Sequence, residues 1–139
     1  MIRLAEEKDI PVIAGMVAKL HAAACVVLPL DEPTTKRFLS GLLRTPLGRL
    51  WVADDGEGAR GFLAASLSTA SISMRLVAVE HGWWAEKGGL QLLQTYLAWA
   101  EEQGCFAVRM STPPGGVRAA VILKRNRFEL AEQAWVRVL

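Results

Sequence analysis

Cysteine is scarce in this sequence, which has only Cys25 and Cys105 among its 139 residues. The two cysteines lack the spacing of metal-ligand pairs and are too few for a disulfide-held scaffold, so we expect free, packed thiols and no metal site. A surplus of either charge is also missing, because 16 Lys and Arg residues oppose 14 Asp and Glu residues. Dedicated nucleic-acid-binding domains carry a strong basic surplus, so we expect no nucleic-acid partner.

Long apolar runs are absent as well. No uninterrupted stretch approaches the roughly 18 residues of a membrane-spanning helix, so we expect no membrane partner. The opening residues MIRLAEEKDI lack the apolar centre of a signal peptide, which favours a cytoplasmic location with reduced thiols. Hydrophobic residues are abundant at 52%, against 22% charged, and this excludes disorder as the main state. The length predicts one domain over residues 1–139. The high hydrophobicity of so small a chain is compatible with a homodimer.

The first forty residues carry a helical pattern. Apolar residues at steps of three and four predict a helix that begins after Asp9 and ends before Pro29. Asp9 is placed to cap this helix, and Pro11 fits its first turn. A second helix is predicted over 33–43. The apolar residues 26–30 between the two helices are expected either to be tucked under the domain or to line a cleft.

The remainder alternates between strand and helix patterns. Strands over 49–53 and 61–67 flank the turn sequence Asp54-Asp55-Gly56-Glu57-Gly58, which predicts a hairpin. The other predicted elements are a strand from Ile72 through Val79 that extends to Ala85, a helix over 90–103, a strand over 105–110, a helix over 117–124, and one or two strands over 128–139. With Ile2–Leu4 as an opening strand, the order is β-α-α-β-β-β-α-β-α-β. The predicted fold class is α/β.

Three segments of the sequence, in this order of elements, carry a resemblance to a known family. They are IRLAEEKDIPVI at the start, LLQTYLAWAEEQGCFAVRM in the second half and VILKRNRFELAEQAWVRVL at the end. The chain resembles the GNAT family of acetyl-CoA-dependent N-acetyltransferases over essentially its whole length. The resemblance implies a mixed, mostly antiparallel central sheet flanked by helices. It also implies acetyl-CoA or another acyl-CoA as co-substrate and an amine acceptor, either a small molecule or a protein.

The family's cofactor loop, Gln/Arg-x-x-Gly-x-Gly/Ala, is altered here. An ungapped count places its signature positions on Trp84, Lys87 and Gly89, of which only the last fits. The alternative, which we favour, is a strand that continues to Ala85 and a loop shortened to residues 86–89. By resemblance, the four residues from the loop into the following helix would hold the cofactor's pyrophosphate: Lys87, Gly88, Gly89 and Leu90. The plainer interpretation is that the Gly-Gly pair only turns a strand into a helix.

By resemblance, the acyl-pantetheine arm needs a free backbone edge near Val77, Ala78 and Val79. Transfer to an amine also needs a group that removes the amine's proton. Many family members carry a glutamate in the fourth strand, and Glu80 has that position here. The alternative role for Glu80 is a salt bridge with Arg75 or Arg109.

Two neighbouring features complete the expectations for the site. On strict alternation, His81 faces away from Glu80, so only one of them faces the cleft. Trp83 and Trp84 would line an acceptor pocket or belong to the core.

The residue that usually serves as general acid is also missing, because the family's usual tyrosine falls on Leu123. A thiolate leaving group departs without a strong acid, so this loss does not exclude catalysis. It does favour a second interpretation of the chain, a non-catalytic GNAT-fold module that binds a ligand or has a structural role. The resemblance therefore predicts an N-acyltransferase, with a degenerate binding module as the alternative.

Overall fold

The centre of the structure, a computed structural model that describes residues 1–139, is a five-stranded sheet. Its strands are β1 (Ile2–Leu4), β2 (Gly48–Asp54), β3 (Ala59–Thr69), β4 (Leu76–Ala85) and β5 (Ala107–Arg109). They lie side by side in chain order. The first three pairings are antiparallel and the β4–β5 pairing is parallel. The mixed, mostly antiparallel sheet expected from the resemblance is confirmed.

Helices cover both faces of the sheet. They are α1 (Ile10–Ala23), α2 (Glu32–Arg44), α3 (Gly89–Glu102) and α4 (Val117–Arg125), and a short 3₁₀ turn over Glu7–Asp9 precedes α1. Alternate strand residues point to opposite faces, so β2 and β3 supply apolar side chains to two separate cores. One core joins Val52 and Phe62 to α1 and α2. The other joins Trp51 and Leu63 to α3 and to Leu123 of α4.

Short-range hydrogen bonds define where the first two helices begin. Asp31 caps α2, because its carboxylate accepts the Thr34 amide at 3.0 Å. Asp9 does not cap α1 as expected. Its carboxylate instead accepts two hydrogen bonds from the Arg3 guanidinium, at 2.8 and 3.0 Å, and one from the Glu6 amide at 2.8 Å. The carboxylate therefore joins β1 to the 3₁₀ turn.

A β-bulge interrupts β4 at His81. Ala65 of β3 pairs with Glu80 and Ala64 pairs with Gly82, so His81 is an extra residue with no partner of its own. The bulge places His81 and Gly82 on the α1–α2 face, where a Cβ on Gly82 would meet the Phe62 ring at 2.9 Å. No feature of the sequence predicts this irregularity.

Three expectations from the sequence are corrected. The strands predicted over 128–139 are absent, and this segment forms neither helix nor strand. The apolar loop 26–30 is exposed rather than tucked under the domain. Cys25 is exposed rather than packed, and it has a left-handed backbone at the end of α1. The predicted order therefore holds through its last helix and lacks only the closing strand. No helix is both long enough and apolar enough to cross a membrane.

Candidate functional site

The parallel strands β4 and β5 diverge at one point in the sheet. The β4–β5 pairing begins at Val77 with Ala107 and ends at Val79 with Arg109. From Glu80 to Ala85 the outer side of β4 has no strand partner, although its other side remains paired with β3. The unpaired edge of β4 leads from Glu80 towards the beginning of α3. A free edge of this kind offers backbone donors and acceptors to an extended ligand.

The first turn of α3 lies at the far end of this edge. Its first internal hydrogen bond runs from the Leu92 amide to the Gly88 carbonyl, so the amides of Gly89, Leu90 and Gln91 are free. Lys87 is exposed and forms no ion pair, whereas the neighbouring Glu86 pairs with a lysine of α1. Free amides, the helix dipole and an unpaired ammonium together favour an anion at this position.

The two glycines at the start of α3 differ in whether the fold requires glycine. Gly88 has a φ of +82°, and a Cβ there would lie 2.7 Å from the Ala53 Cβ, so its backbone and its surroundings both require glycine. Gly89 has an ordinary φ, and the nearest neighbour of an added Cβ would be the Ala85 Cβ at 3.5 Å. Gly88 is therefore required by the fold. At position 89 the fold accepts a residue larger than glycine.

Glu80 lies where β4 and β5 diverge. It forms no ion pair, and the amide of Ser111, just after β5, donates a hydrogen bond to its carboxylate at 3.1 Å. The two expected partners are engaged elsewhere, since Arg75 lies over the Phe106 ring and Arg109 pairs with Glu132. Burial raises the pKa of Glu80 to about 7, and the Ser111 hydrogen bond opposes that rise. The salt-bridge interpretation of Glu80 is therefore wrong.

His81 lies on the opposite face of β4 from Glu80, in agreement with strict alternation. Its Nε2 is 2.7 Å from the Ser66 hydroxyl, and its ring meets the Phe38 ring edge to face at 5.2 Å. Partial burial lowers the pKa of His81, which favours the neutral imidazole at pH 7. The ring lines a cavity of about 310 Å³ between α1, α2 and the sheet. No carboxylate lines this cavity: its other residues are Val17, Thr34, Thr35, Phe38, Leu39, Phe62 and Ala64.

Several expected site residues are brought together and others are not. Lys87, Gly88, Gly89 and Leu90 surround the start of α3, at the end of the strand that carries Glu80. Val77, Ala78 and Val79 are paired with β3 on one side and β5 on the other, so the expected free edge is absent there. The free part of the β4 edge runs instead over residues 80–85. Sequence reasoning missed this shift because strand pairing is not local.

The tryptophans and the missing tyrosine have structural explanations. Trp83 donates from Nε1 to the Gly89 carbonyl at 3.1 Å and so fixes the start of α3 against β4. Trp84 packs against the α1–α2 core, beneath the Lys19 ammonium. Leu123 is buried in the α3 core, and the single tyrosine, Tyr96, donates its hydroxyl to the Arg109 carbonyl. The Tyr96 hydroxyl is therefore held where β5 stops pairing with β4, and burial, together with the charge of Glu80, raises the pKa of Tyr96.

The structure contains no group of three or more His, Cys, Asp or Glu side chains able to hold a metal ion. Neither a family model nor a curated protein matches the sequence.

Solved structures do match, over the whole chain. A predicted acetyltransferase with acetyl-CoA from Clostridium acetobutylicum superposes with a TM-score of 0.79 at 15% identity, covering 100% of this chain and 95% of that one. AAC(6')-Iy, in complex with the bisubstrate analogue CoA-S-monomethyl-acetylneamine, gives 0.79 at 16% identity, covering 100% and 97%. A transcriptional regulator from Bacillus halodurans C-125 gives 0.80 at 20% identity, covering 100% and 99%. The chain has the fold of the GNAT acetyltransferases, as its sequence resemblance implied.

Proposed function

We propose that this protein transfers an acetyl or other short acyl group from acyl-CoA to a primary amine. One observation carries the proposal. The unpaired edge of β4 connects a half-buried carboxyl group at Glu80 to an anion-favouring helix start at Gly89. A long ligand with a phosphate-bearing end and a reactive end matches this arrangement. The neighbours described with acetyl-CoA and with a CoA analogue support the same class of ligand.

The pyrophosphate would bind at the start of α3. The free amides of Gly89 and Leu90 would donate to its oxygens, and the Lys87 ammonium would balance their charge. Gly88 contributes by turning the chain, since its left-handed backbone directs the following amides outward from the end of β4. The pantetheine arm would lie along residues 82–85 of β4, because Val77–Val79 are already paired.

Glu80 would accept a proton from the amine. An amine attacks a thioester only as the neutral base, so its proton must leave, directly or through water. As the amine nitrogen bonds to the acyl carbon, the carbon–sulfur bond breaks and CoA departs as the thiolate. A pKa of about 7 leaves a large part of Glu80 ionised at neutral pH and yet basic enough to hold the proton.

The acceptor would approach from the cavity beside His81. This cavity is the space between α1, α2 and the sheet described above, and it lies on the face of β4 opposite Glu80. The amine would therefore reach Glu80 past the unpaired outer side of β4, where no strand separates the two faces. Its lining has no carboxylate to pair with a polycation, so it suits an amine with an apolar body better than a polyamine. The neutral His81 ring would contact that body.

Calorimetric titration with acetyl-CoA tests the cofactor half of the proposal. We expect a Gly89→Val variant to keep the fold, because an added Cβ meets only ordinary contacts, and its branched side chain to hinder close approach to the helix start. We expect this variant to bind acetyl-CoA much more weakly than the native protein. Gly41→Val is the matched control, since Gly41 lies on the exposed side of α2 with open space around it. Undiminished affinity in Gly89→Val would contradict the proposed pyrophosphate site.

Turnover measurements test the catalytic half. Glu80→Gln should bind acetyl-CoA normally and transfer the acyl group roughly 10²-fold or more slowly, the usual contribution of a general base. His81→Gln is the control on the opposite face of the same strand. We expect it to raise the KM for the amine while leaving acetyl-CoA binding unchanged. Normal turnover of Glu80→Gln would remove Glu80 from the mechanism.

A binding module without catalysis is the second candidate function. The observation that favours it is the burial of Leu123 in the α3 core, which leaves no hydroxyl at the position where the family usually has its general acid. A thermal-shift titration with acetyl-CoA up to millimolar concentration separates the candidates when combined with turnover. Stabilisation with slow acetyl-CoA hydrolysis supports the enzyme, and stabilisation without turnover supports the module. A ligand at 100 times its Kd should add about 2.7 kcal/mol to the free energy of unfolding.

A further inference from the structure

The end of β5 is held by a tyrosine of α3. β5 spans only Ala107–Arg109, and its last pair joins Arg109 to Val79 of β4. The chain leaves the sheet after this pair, so the position of the following residues depends on contacts outside the strand ladder. One such contact comes from the Tyr96 hydroxyl, which donates to the Arg109 carbonyl at 3.2 Å. Tyr96 is fully buried and is the only tyrosine of the chain.

Two residues further on, the same segment contacts Glu80. The Ser111 amide donates to the Glu80 carboxylate at 3.1 Å, where β4 and β5 have stopped pairing. Glu80 forms no ion pair, and Ser111 is the only residue that donates a hydrogen bond to its carboxylate. Only Met110 separates Ser111 from the carbonyl that Tyr96 holds. The position of the Ser111 amide therefore depends on the Tyr96 hydroxyl.

The ring of Tyr96 is itself fixed by its neighbours. It stacks on Trp99 and meets Trp51 edge to face, with ring centroids 6.2 Å apart in both pairs. A hydroxyl on a ring packed in this way has few alternative positions. Its proton is engaged by the Arg109 carbonyl, and burial together with the charge of Glu80 raises the pKa of Tyr96. Tyr96 is therefore suited to hold the backbone and not to give up a proton.

We propose that Tyr96 is a positioning residue for the acyl transfer: by holding the Arg109 carbonyl, it keeps the Ser111 amide directed at the Glu80 carboxylate. This inference rests on the function proposed above, in which Glu80 accepts the proton of the amine. An amide that donates to a carboxylate stabilises its ionised form. Loss of the Tyr96 hydroxyl should therefore leave Glu80 protonated over a wider pH range and less able to act as a base at neutral pH.

The other charged and titratable groups near Glu80 do not provide this effect. Tyr96 faces Glu80 from α3, and Cys105, just before β5, faces Tyr96. Burial raises the pKa of both, so neither is charged at neutral pH. The Arg109 guanidinium pairs with a glutamate near the end of the chain, and His81 lies on the opposite face of β4. A change in Glu80 on removal of the Tyr96 hydroxyl would thus come through the end of β5.

Carbon-13 NMR of the glutamate carboxyl groups tests the inference without a substrate. The resonance missing from Glu80→Gln identifies Glu80, and its titration midpoint is compared between the native protein and Tyr96→Phe. We expect Tyr96→Phe to raise the midpoint by about 0.5–1 pH unit, because the Ser111 amide is no longer held. Ile13→Val is the matched control, since Ile13 is buried in the other core, and it should leave the midpoint unchanged. An unchanged or lower midpoint in Tyr96→Phe, or an equal rise in Ile13→Val, would overturn the inference.

Fluorine labelling keeps the inference open to test if Tyr96→Phe does not fold. Because Tyr96 is the only tyrosine, 3-fluorotyrosine labels this residue alone and retains its hydroxyl. We expect the fluorine resonance to shift at the midpoint of Glu80, and this step to be absent from Glu80→Gln. Ser111→Pro, which has no amide to donate, should raise the midpoint, and Ser111→Ala, which keeps the amide, should raise it less. A fluorine resonance that ignores Glu80, or equal midpoints in the two Ser111 variants, would overturn the inference.

Turnover separates this inference from the function on which it rests. In an active protein, the pH midpoint of kcat should rise in Tyr96→Phe by the amount that NMR gives for Glu80, with the KM for acetyl-CoA unchanged. A raised NMR midpoint in a protein that transfers no acyl group would keep the link from Tyr96 to Glu80 and remove the proposed function. Acyl transfer with an unmoved midpoint would do the reverse.

Discussion

The buried position of Glu80 destabilises the ionised form of its carboxyl group. Burial raises its folded-state pKa to about 7 from an ordinary value of 4.5, so the folded protein prefers the protonated carboxyl. Below pH 4.5 both states are protonated and no penalty exists. The penalty develops between pH 4.5 and 7, and above pH 7 it reaches about 3 kcal/mol. Glu80→Gln should therefore be more stable than the native protein at pH 8 and equally stable near pH 4.5.

Urea unfolding of both proteins at the two pH values measures this difference. The same ionisation predicts that acyl transfer by the native protein increases as pH rises through about 7, because only the carboxylate accepts a proton. A stability loss in Glu80→Gln at pH 8 would instead indicate a structural role for the charge.

The Gly88–Gly89 pair allows a second test at the scale of single residues. Gly88→Ala adds a Cβ 2.7 Å from the Ala53 Cβ on a backbone with positive φ, so we expect a loss of roughly 1–3 kcal/mol of stability. Gly89→Ala meets no such contact and should change stability by less than about 1 kcal/mol in either direction. Thermal melts of the two variants give the comparison. Equal losses would contradict the distinction between the two glycines.

At the scale of elements, the Arg3 guanidinium joins three pieces of the chain. It donates to Asp9 at the start of α1 and, through Nε, to Asp54 at the end of β2 at 2.9 Å. The Arg3 hydrogen bonds hold the pKa of Asp9 below its usual range. The stability from this pair is therefore present above the unfolded pKa of about 4 and is lost as pH falls through the lower folded value.

Asp9→Asn should thus be destabilised by roughly 1.5–3 kcal/mol at neutral pH, the usual value of a hydrogen bond to a charged group. Its stability should then vary less than that of the native protein between pH 5 and pH 3. Chemical unfolding across that range checks both statements. A parallel decline in the two proteins would mean that Asp9 does not carry the acid sensitivity.

The elements predicted from the sequence are those whose signals are local. The hairpin follows from the turn residues Asp54–Gly58, and each helix follows from a run of apolar residues at helical spacing. Residues 128–139 include several that favour strands, but a strand forms only where another edge pairs with it. That partner is a property of the assembled sheet. The free edge of β4 lies further along the strand than the resemblance implies for the same reason, because the sequence does not reveal where β5 stops pairing.

Some features of the candidate site are likewise local in the sequence, and others depend on contacts between distant segments. The anion-favouring helix start is predictable, since two glycines and a lysine before a helical pattern are adjacent in the sequence. The contact between Glu80 and Ser111 is not, because these residues are 31 positions apart. Nor is the pKa of Glu80, which depends on what covers it. Local chemistry thus identifies the residues, and only the fold determines their surroundings.

For the whole molecule, the sheet separates two cores that share no side chain. Ile13 of α1 belongs to one core and Tyr96 of α3 to the other, and both are fully buried. Ile13→Val should cost about 0.5–1.5 kcal/mol, and Tyr96→Phe, which loses a hydrogen bond, a similar amount. We expect the double variant to lose the sum of the two, within about 0.5 kcal/mol. A larger departure in urea unfolding would show that the sheet transmits strain between its faces.

The extra residue in β4 has a consequence for insertions and deletions. A register shift of one residue normally moves every side chain of a strand to the opposite face of the sheet. In β4 this shift is already present at His81. Removing His81 would leave Glu80 and the residues after Gly82 in regular alternation, with Trp83 and Trp84 on their present faces. A frame-preserving deletion at this codon should therefore yield a folded protein with a straightened β4. With the His81 ring gone from the cavity between α1, α2 and the sheet, this variant should bind the proposed amine more weakly while keeping both cores.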